Sequence, residues 1–312
     1  MQAVVEHPTT LVKPPITYLG SKAGLAEWIC SHFPEHTTYV EPYGGSAAVL
    51  LAKQPSKVEV YNDINQELVT LYRVLRDKAM SERLYESLSL TLYSRAEFNF
   101  AKQYVSYVSD DPVEIARCFM VKQCQSHCAH GRQFSFVVKD SCSSAVQRWL
   151  RSIARVQEVH KRMRHVQVEC LDALDILKKY DTPDTLFYLD PPYVAATRVS
   201  GQYKHELDDS DHVNLITALL DIKGKAILSG YEHQIYKPLQ HAGWTLIKKE
   251  VTAATSPTRN KRIECLWISP GAHQNRQMGI FDDYDIGSAK NAQIIEVRLR
   301  CNTKFKSWKS GY

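Results

Sequence analysis

The chain carries Thr37-Thr-Tyr-Val-Glu-Pro-Tyr-Gly-Gly-Ser46, a β-prone run that passes through two glycines into an apolar segment with helical periodicity. Glycine lets the backbone approach a ligand closely, and the first turn of a helix offers unpaired N–H groups to an anionic group such as a carboxylate. The segment predicts a strand, a tight turn and a helix. Gly44 and Gly45 form either a purely structural turn or part of a ligand site.

An acidic residue at the end of the next predicted strand favours the ligand site. Asp63 lies 18 residues after Gly45 and follows the run Val58-Glu-Val-Tyr-Asn62. This spacing is typical of nucleotide-binding α/β folds, in which a carboxylate accepts hydrogen bonds from ribose hydroxyls. A nucleoside-type cofactor is therefore the better interpretation.

Predicted strands and helices alternate along most of the chain, which indicates a mostly parallel sheet covered by helices on both faces. Seven strands are predicted, at 39–41, 58–61, 166–170, 186–189, 226–228, 244–251 and 263–268. Helices are predicted at 22–33, 47–53, 65–77, 174–180, 211–220 and 234–242. The expected fold class is α/β, with a Rossmann-like, seven-stranded sheet.

The strand pattern is interrupted between the second and third predicted strands. Residues 80–164 are predicted to be mostly helical, with one long basic helix over 143–164. The sheet-forming domain is thus discontinuous, over 14–79 and 165–270, and 80–164 is an insertion within it. Residues 271–312 are predicted to form a polar tail, with a late strand at 293–300.

The insertion contains most of the excess positive charge. Residues 117–164 hold ten Lys and Arg against two acids, a net +8 in a chain whose formal net charge is +5. Such a concentration is expected of a phosphate-binding surface, although a solvated helix face has the same composition.

The remaining composition narrows the class of protein. The sequence shows no apolar run of membrane-spanning length and no export signal, so we expect a cytoplasmic protein without membrane association. Its eight cysteines are unevenly spaced, which predicts free thiols rather than a disulfide framework.

A second chemical signal is Leu186-Phe-Tyr-Leu-Asp-Pro-Pro-Tyr193, an apolar strand followed by an acid, two prolines and an aromatic ring. Ligands bind at the carboxyl ends of the strands in such sheets. The prolines lack N–H donors, so the Asp190 carboxylate and the Pro191 carbonyl match the two hydrogens of an exocyclic amino group. Tyr193 offers a flat face for a nucleobase. A strand terminator with a solvated carboxylate is the alternative interpretation.

Together these motifs resemble those of the Dam-type, or D12 class, DNA adenine-N6 methyltransferases (DPPY motif, group alpha). Further motifs similar to the family's are Pro15-Ile-Thr-Tyr-Leu-Gly-Ser-Lys22, Asn62-Asp-Ile-Asn65 and Arg262-Ile-Glu-Cys-Leu-Trp267. The resemblance spans about 15 to 270. In two places the sequence differs, because Ser21 replaces a glycine and Cys170-Leu-Asp-Ala173 replaces a Gly-Asp-Phe-like segment.

The resemblance implies methyl transfer from S-adenosylmethionine to an adenine flipped out of double-stranded DNA, as in restriction–modification systems. Catalytic roles are implied for Asp190, Pro191, Pro192 and Tyr193, with Tyr193 stacked on the base. Cofactor contacts are implied for Tyr18, Gly20, Lys22, Glu41, Pro42, Tyr43, Gly44, Gly45, Ser46, Asp63, Ile64, Asp172, Ala173 and Asp190.

DNA contacts are expected from the insertion, and the candidates are Arg117, Lys122, Arg132, Lys139, Arg148 and Arg151. Three alternatives stay open: an N4-cytosine methyltransferase, an RNA substrate, and a catalytically silent DNA-binding protein on the same scaffold. The family usually marks cytosine chemistry with serine at the position of Asp190. A monomer or weak dimer is expected.

Metal-capable side chains are grouped in Cys124-Gln-Ser-His-Cys-Ala-His130, and Cys118 or Cys142 could complete a zinc site. The second ligand pair that structural zinc sites usually have is missing. Buried thiols and DNA-facing histidines are therefore preferred, and no metal is predicted.

The tail contains Gln277-Met-Gly-Ile-Phe281, which is similar to the short peptide by which bacterial proteins dock on the replicative sliding clamp. Apolar anchors on an extended tail are typical of groove-binding peptides. A hydrophobic patch that packs back on the domain is the alternative.

Overall fold

The computed structural model of the protein describes residues 12–104, 110–136, 143–194, 205–252 and 261–273. They belong to the first of two compact units, Met1–Asn275, and the second is Arg276–Tyr312. The predicted clamp peptide and the predicted strand at 293–300 lie outside the described residues, as does Lys139.

The described part of the chain forms a seven-stranded sheet, as predicted. Its strands are β1 (Thr38–Glu41), β2 (Val58–Asn62), β3 (Gln167–Glu169), β4 (Thr185–Leu189), β5 (Lys225–Gly230), β6 (Thr245–Thr252) and β7 (Lys261–Ile268). The order is β3-β2-β1-β4-β5-β7-β6. The first five strands are parallel, and β7 runs antiparallel to both neighbours. The α/β, Rossmann-like prediction is confirmed.

This strand order creates a crevice between two adjacent strands. From β1 the chain moves outward to β2 and β3, and it then returns to place β4 on the other side of β1. Ligands of open α/β sheets bind outside the carboxyl ends of the strands at such a reversal. Glu41 ends β1 and Asp190 follows β4, so both residues lie at the crevice.

Helices cover both faces of the sheet. Those outside the insertion are α1 (Ala26–Cys30), α2 (Ala48–Ala52), α3 (Gln66–Arg76), α8 (Ala173–Tyr180), α9 (Asp209–Leu220) and α10 (Lys237–His241). The prediction of a helix from residue 22 was wrong at its start, because α1 begins only at Ala26. Lys22 stays outside the helix, where its ammonium group reaches Asp190.

The insertion is helical, as predicted. It contains α4 (Lys78–Ser89), α5 (Arg95–Gln103), α6 (Pro112–Cys124) and α7 (Ser143–Met163). Asp77, Ser94 and Asp111 cap the first three of these helices by accepting a hydrogen bond from a backbone N–H of the first turn. The long basic helix predicted over 143–164 is confirmed by α7.

Alternating strand residues fill two separate cores. Tyr39, Leu186 and Tyr188 face the core that α1 to α7 cover, whereas Val40 and Phe187 face the core on the side of α8 and α9. This alternation follows from the period of two along a strand.

A buried ionic cluster joins the insertion to the sheet. Arg162, near the end of α7, donates a 2.8 Å hydrogen bond to Glu59 of β2 and another of 2.8 Å to the Leu50 carbonyl. Lys53 donates to the same carboxylate at 2.6 Å. One end of the basic helix is therefore fixed against the sheet.

Across the residues described here, no helix combines the length and the apolar character that crossing a bilayer requires. The described cysteines Cys30, Cys118, Cys124, Cys170 and Cys265 are free, as predicted.

Candidate active site

A cavity of about 290 Å³ opens at the carboxyl ends of β1, β2 and β4. All the residues predicted to contact a cofactor line it: Tyr18, Gly20, Lys22, Glu41, Pro42, Tyr43, Gly44, Gly45, Ser46, Asp63, Ile64, Asp172, Ala173 and Asp190. Pro192 also lines this cavity, whereas Pro191 and Tyr193 do not belong to its lining. Segments that are distant in sequence thus meet at the carboxyl ends of the strands, where ligands of open α/β sheets bind.

The glycine turn forms the floor of the cavity and packs tightly against β2. A Cβ atom at Gly44 would lie 2.2 Å from Cε2 of Tyr61, so only glycine fits there without a rearrangement. Gly45 has φ +49, in the left-handed region that favours glycine. The Tyr61 hydroxyl donates a 2.8 Å hydrogen bond to the Gly45 carbonyl.

Asp63 is held in place by the backbone on either side of it. One carboxylate oxygen accepts from the N–H of Gly45 at 3.0 Å and the other accepts from the N–H of Asn65 at 2.8 Å. Burial raises the pKa of Asp63 above its ordinary value, and these two hydrogen bonds oppose the shift. Each oxygen keeps a second lone pair for a hydroxyl in the cavity.

Apolar side chains form another wall of the cavity. Ile64 and Leu171 line it and remain partly open to solvent, with 50% and 38% exposure. Asn62 fixes the Leu171 backbone through two hydrogen bonds of 2.9 and 3.0 Å. Sequence reasoning did not select Leu171, although an apolar residue beside the predicted Asp172 was the available signal.

Asp190 is half-buried at the cavity wall and paired with a lysine. The Lys22 ammonium donates to both carboxylate oxygens, at 2.8 and 2.9 Å. Burial raises the pKa of Asp190, whereas the charge and hydrogen bonds of Lys22 lower it. The family resemblance implied that Lys22 lies near the end of the catalytic strand, but the ion pair itself, between residues 168 positions apart, was not predicted.

Glu41 is a second buried carboxyl group in the same wall. It accepts a 2.6 Å hydrogen bond from the Tyr39 hydroxyl. Burial raises the pKa of Glu41 to about 8, so this group is mostly protonated at neutral pH. Asp190, in contrast, has the Lys22 ammonium in hydrogen-bond contact, which favours its ionised form.

Tyr193 lies behind the cavity wall, with its ring buried. Its hydroxyl donates to Glu264 of β7 and lies 3.3 Å from the Ser229 hydroxyl. The Lys22 ammonium sits 4.7 Å from the ring centroid, and the ring of Tyr231 meets it edge-on at 4.6 Å. The stacking role of Tyr193 stays a prediction. Sequence reasoning assigned no role to Glu264, although a carboxylate within the otherwise apolar predicted strand 263–268 was the signal.

The candidate DNA contacts fall into two groups. Arg117 is buried and binds Glu114 at 2.6 Å and Glu97 at 3.1 Å, while Lys122 binds Glu67 at 2.6 Å. The exposed members of the candidate set are Arg132, Arg148 and Arg151.

Arg95 is a further exposed cation that sequence reasoning missed. Its guanidinium lies 5.1 and 5.5 Å from the ring centroids of Phe134 and Phe136, and Phe136 is 66% exposed. Arg95 therefore places a cation beside an exposed aromatic surface, on the same insertion as Arg132.

The described residues contain no group of three or more His, Cys, Asp or Glu able to hold a metal ion. Cys124 instead contacts the Ser152 hydroxyl at 3.7 Å, and burial raises the pKa of its thiol, which disfavours the thiolate form that binds zinc. The side chain of Cys128 and all of Cys142 lie outside the described residues.

Comparison with known proteins identifies the family. The profile described as "D12 class N6 adenine-specific DNA methyltransferase" matches residues 18–252. The chain is 24% identical to the type II methyltransferase M.MjaIII of Methanocaldococcus jannaschii over 238 residues, which cover 65% of this chain and 78% of that protein.

It is also 22% identical to the modification methylase LlaI of Lactococcus lactis subsp. lactis over 283 residues. That match covers 79% of this chain but only 42% of the methylase, so the chain spans less than half the length of that relative. The profile matches most of the chain, and the resemblance inferred from the sequence motifs is confirmed. The chain belongs to the D12 class of N6 adenine-specific DNA methyltransferases.

Proposed function

We propose that the protein transfers the methyl group of S-adenosylmethionine to the exocyclic amino group of an adenine flipped out of double-stranded DNA, at a specific target sequence. The observation that carries this proposal is the position of Asp190. Its half-buried carboxylate lies in the wall of the same cavity as the glycine turn and Asp63. A hydrogen-bond acceptor and a nucleoside-type site are thus adjacent.

The lining of the cavity fits S-adenosylmethionine. Asp63 has lone pairs left for the ribose hydroxyls, and Gly44 leaves no side chain between Tyr61 and a ligand. Ile64 and Leu171 offer apolar surface for an adenine ring. A volume of about 290 Å³ is just below the usual range for small-molecule sites, about 300 to 1,000 Å³. When bound, this cofactor supplies a methyl group on a positively charged sulfur.

Asp190 and the Pro191 carbonyl would hold the target amino group. The amino nitrogen of adenine is a weak nucleophile because its lone pair is delocalised into the ring. Two acceptors on its hydrogens draw electron density toward the nitrogen and fix the direction of its lone pair. Catalysis is then positioning together with electrostatic stabilisation. No cysteine is needed as a nucleophile.

The insertion would bind the DNA backbone. We retain Arg132, Arg148 and Arg151 as phosphate contacts because their side chains are exposed, and we add Arg95. Arg117 is not retained, since Glu114 and Glu97 already neutralise its guanidinium. Flipping an adenine costs a few kcal/mol of stacking, which contacts from the insertion must offset.

Nucleoside analysis of the reaction product tests the proposal. The purified chain is incubated with labelled S-adenosylmethionine and unmethylated duplex DNA, and in parallel with single-stranded DNA and RNA of the same sequence. We expect N6-methyladenine in the duplex at a defined sequence. Methyl label only in cytosine or only in RNA contradicts the proposed substrate. DNA binding without any methyl transfer supports a catalytically silent protein instead.

Docking of Gln277–Phe281 on the replicative sliding clamp remains a prediction. A pull-down with the clamp that compares the wild-type chain with a Gln277→Ala/Phe281→Ala variant tests it. Equal capture of both proteins contradicts the docking role.

A further inference from the structure

Glu264, a buried acid in β7, lies behind the Asp190–Tyr193 motif. Glu264 is 5% exposed, and the residues that follow it in the strand, Cys265, Leu266 and Trp267, are buried and uncharged. It does not belong to the cavity lining. An ionisable group at such a position is costly unless its charge or its hydrogen bonds are used.

One oxygen of Glu264 has three polar neighbours. Oε1 accepts hydrogen bonds from the Tyr193 hydroxyl and, at 3.0 Å, from the Ser229 hydroxyl. The ammonium group of Lys22 lies 3.8 Å from the same oxygen. Lys22 is therefore placed between two carboxylates, Asp190 in the cavity wall and Glu264 behind it.

The two hydroxyl contacts do not require a charge. The carbonyl oxygen of a glutamine could also accept from Tyr193 and Ser229, and it would avoid the cost of burying an ion. What only a carboxylate supplies is the negative charge near Lys22. Of the two carboxyl groups that Lys22 contacts, only Asp190 lies in the cavity wall.

We propose that Glu264 is a positioning residue for methyl transfer, a role that rests on the proposed function. Glu264 shares the Lys22 ammonium with Asp190 and so leaves the Asp190 oxygens able to accept hydrogen bonds from the target amino group. Without Glu264, Lys22 would interact with Asp190 alone, and its positive charge would make the Asp190 oxygens weaker hydrogen-bond acceptors. The carboxylate behind Lys22 would also be lost, although positive charge moves onto the amino nitrogen during the transfer. Both effects lower kcat.

Tyr193 belongs to the same arrangement. Its hydroxyl donates to Glu264 and its ring lies beneath Lys22, so Tyr193 itself is anchored to β7. The orientation of the ring is thus fixed at both ends, by the backbone and by the hydroxyl. Glu264 acts through its neighbours and does not touch the cavity.

The test compares steady-state kinetics of wild type with Glu264→Gln, Glu264→Asp and the matched control Glu250→Gln. Glu250 is an acid of β6 with 59% side-chain exposure, paired with Lys261. For Glu264→Gln we expect kcat to fall at least tenfold. The KM for S-adenosylmethionine and for DNA should change less than threefold, because the glutamine preserves the hydroxyl contacts. Glu250→Gln should behave as wild type.

Glu264→Asp keeps the charge and shortens the side chain, so its kcat should lie between those of wild type and Glu264→Gln. A kcat for Glu264→Gln within threefold of wild type overturns the inference. The same holds if Glu264→Asp is no faster than Glu264→Gln, or if both variants lose affinity for S-adenosylmethionine in proportion to kcat. If wild type itself yields no N6-methyladenine, the proposed function fails instead.

Discussion

Asp190→Asn is the substitution that most directly probes the site. Asparagine has the shape of aspartate but keeps one acceptor oxygen and turns the other into an NH2 donor. That donor would face either the Lys22 ammonium, now 2.8 to 2.9 Å from the carboxylate, or the hydrogens of the target amino group. Whichever group the NH2 faces, that contact becomes repulsive, so one change removes the charge and half of the acceptor capacity.

The expected loss in rate follows from the number of contacts removed. Loss of one preorganised charge-stabilising group typically lowers kcat about 10²- to 10³-fold, or about 2.7 to 4 kcal/mol. We therefore expect kcat of Asp190→Asn to fall by at least about 100-fold. Binding of S-adenosylmethionine should remain measurable, because Asp63 and the glycine turn are untouched.

Stability should fall less than activity. Lys22 loses a partner, but Glu264 remains 3.8 Å from its ammonium group. A buried group with an unsatisfied hydrogen bond costs about 1 to 3 kcal/mol, which corresponds to a decrease in Tm of roughly 2 to 10 °C for a domain of this size. The variant should therefore still be folded at 25 °C.

Single-turnover methylation of an unmethylated duplex measures the rate, and calorimetric titration measures cofactor binding. Asp175→Asn is the matched control, since Asp175 is an exposed acid of α8 that does not line the cavity. A folded Asp190→Asn protein whose rate is within tenfold of wild type would refute the assignment of Asp190.

Three further predictions test the floor, the DNA surface and the charge state of the site. Gly44→Ala should weaken S-adenosylmethionine binding at least tenfold in a titration, because its Cβ would meet the Tyr61 ring at 2.2 Å; unchanged affinity contradicts this. Arg148→Ala should weaken DNA binding and reduce the slope of log K against log salt by about one. Arg117→Ala should instead mainly lower Tm, because it breaks the ion pairs with Glu114 and Glu97. Identical salt slopes for Arg148→Ala and wild type refute the phosphate contact. The pKa of Glu41 is raised to about 8 from an ordinary value of 4.5, so its stabilising contribution is complete below pH 4.5 and is lost as pH rises through 8. The free energy of unfolding should therefore fall between pH 6 and pH 9 by about 2 to 3 kcal/mol more in wild type than in Glu41→Gln, and parallel pH profiles in denaturant titrations count against a buried neutral acid.

Much of the fold was predictable because it depends on local periodicity. Val40 and Tyr39 belong to opposite faces of the sheet, as the period of two requires. The long helix α7 follows from basic and apolar residues at helical spacing. The start of α1 was mispredicted because tertiary contacts override local preference. Lys22 lies in a helical pattern, yet its ammonium is bound to Asp190 in the cavity wall.

The same distinction applies to the basic insertion. The sequence predicts where positive charge is concentrated, but not which side chains are neutralised. Arg117 and Arg148 look equivalent in the sequence, and only the folded chain shows that Glu97 and Glu114 surround Arg117. Ion pairs of this kind depend on how helices pack, and the partner Glu97 is 20 residues away from Arg117.

The sequence by itself determined the α/β class, the order of the motifs and many of the residues that line the cavity. It could do so because chemistry at the carboxyl ends of parallel strands is encoded in short segments such as Gly44-Gly45 and Asp190-Pro191. Only the tertiary structure decided that Lys22 neutralises Asp190, that Glu264 binds the Tyr193 hydroxyl, and that Glu41 is buried as a protonated acid. These properties arise from burial and from contacts between residues far apart in the chain, which a linear pattern does not record.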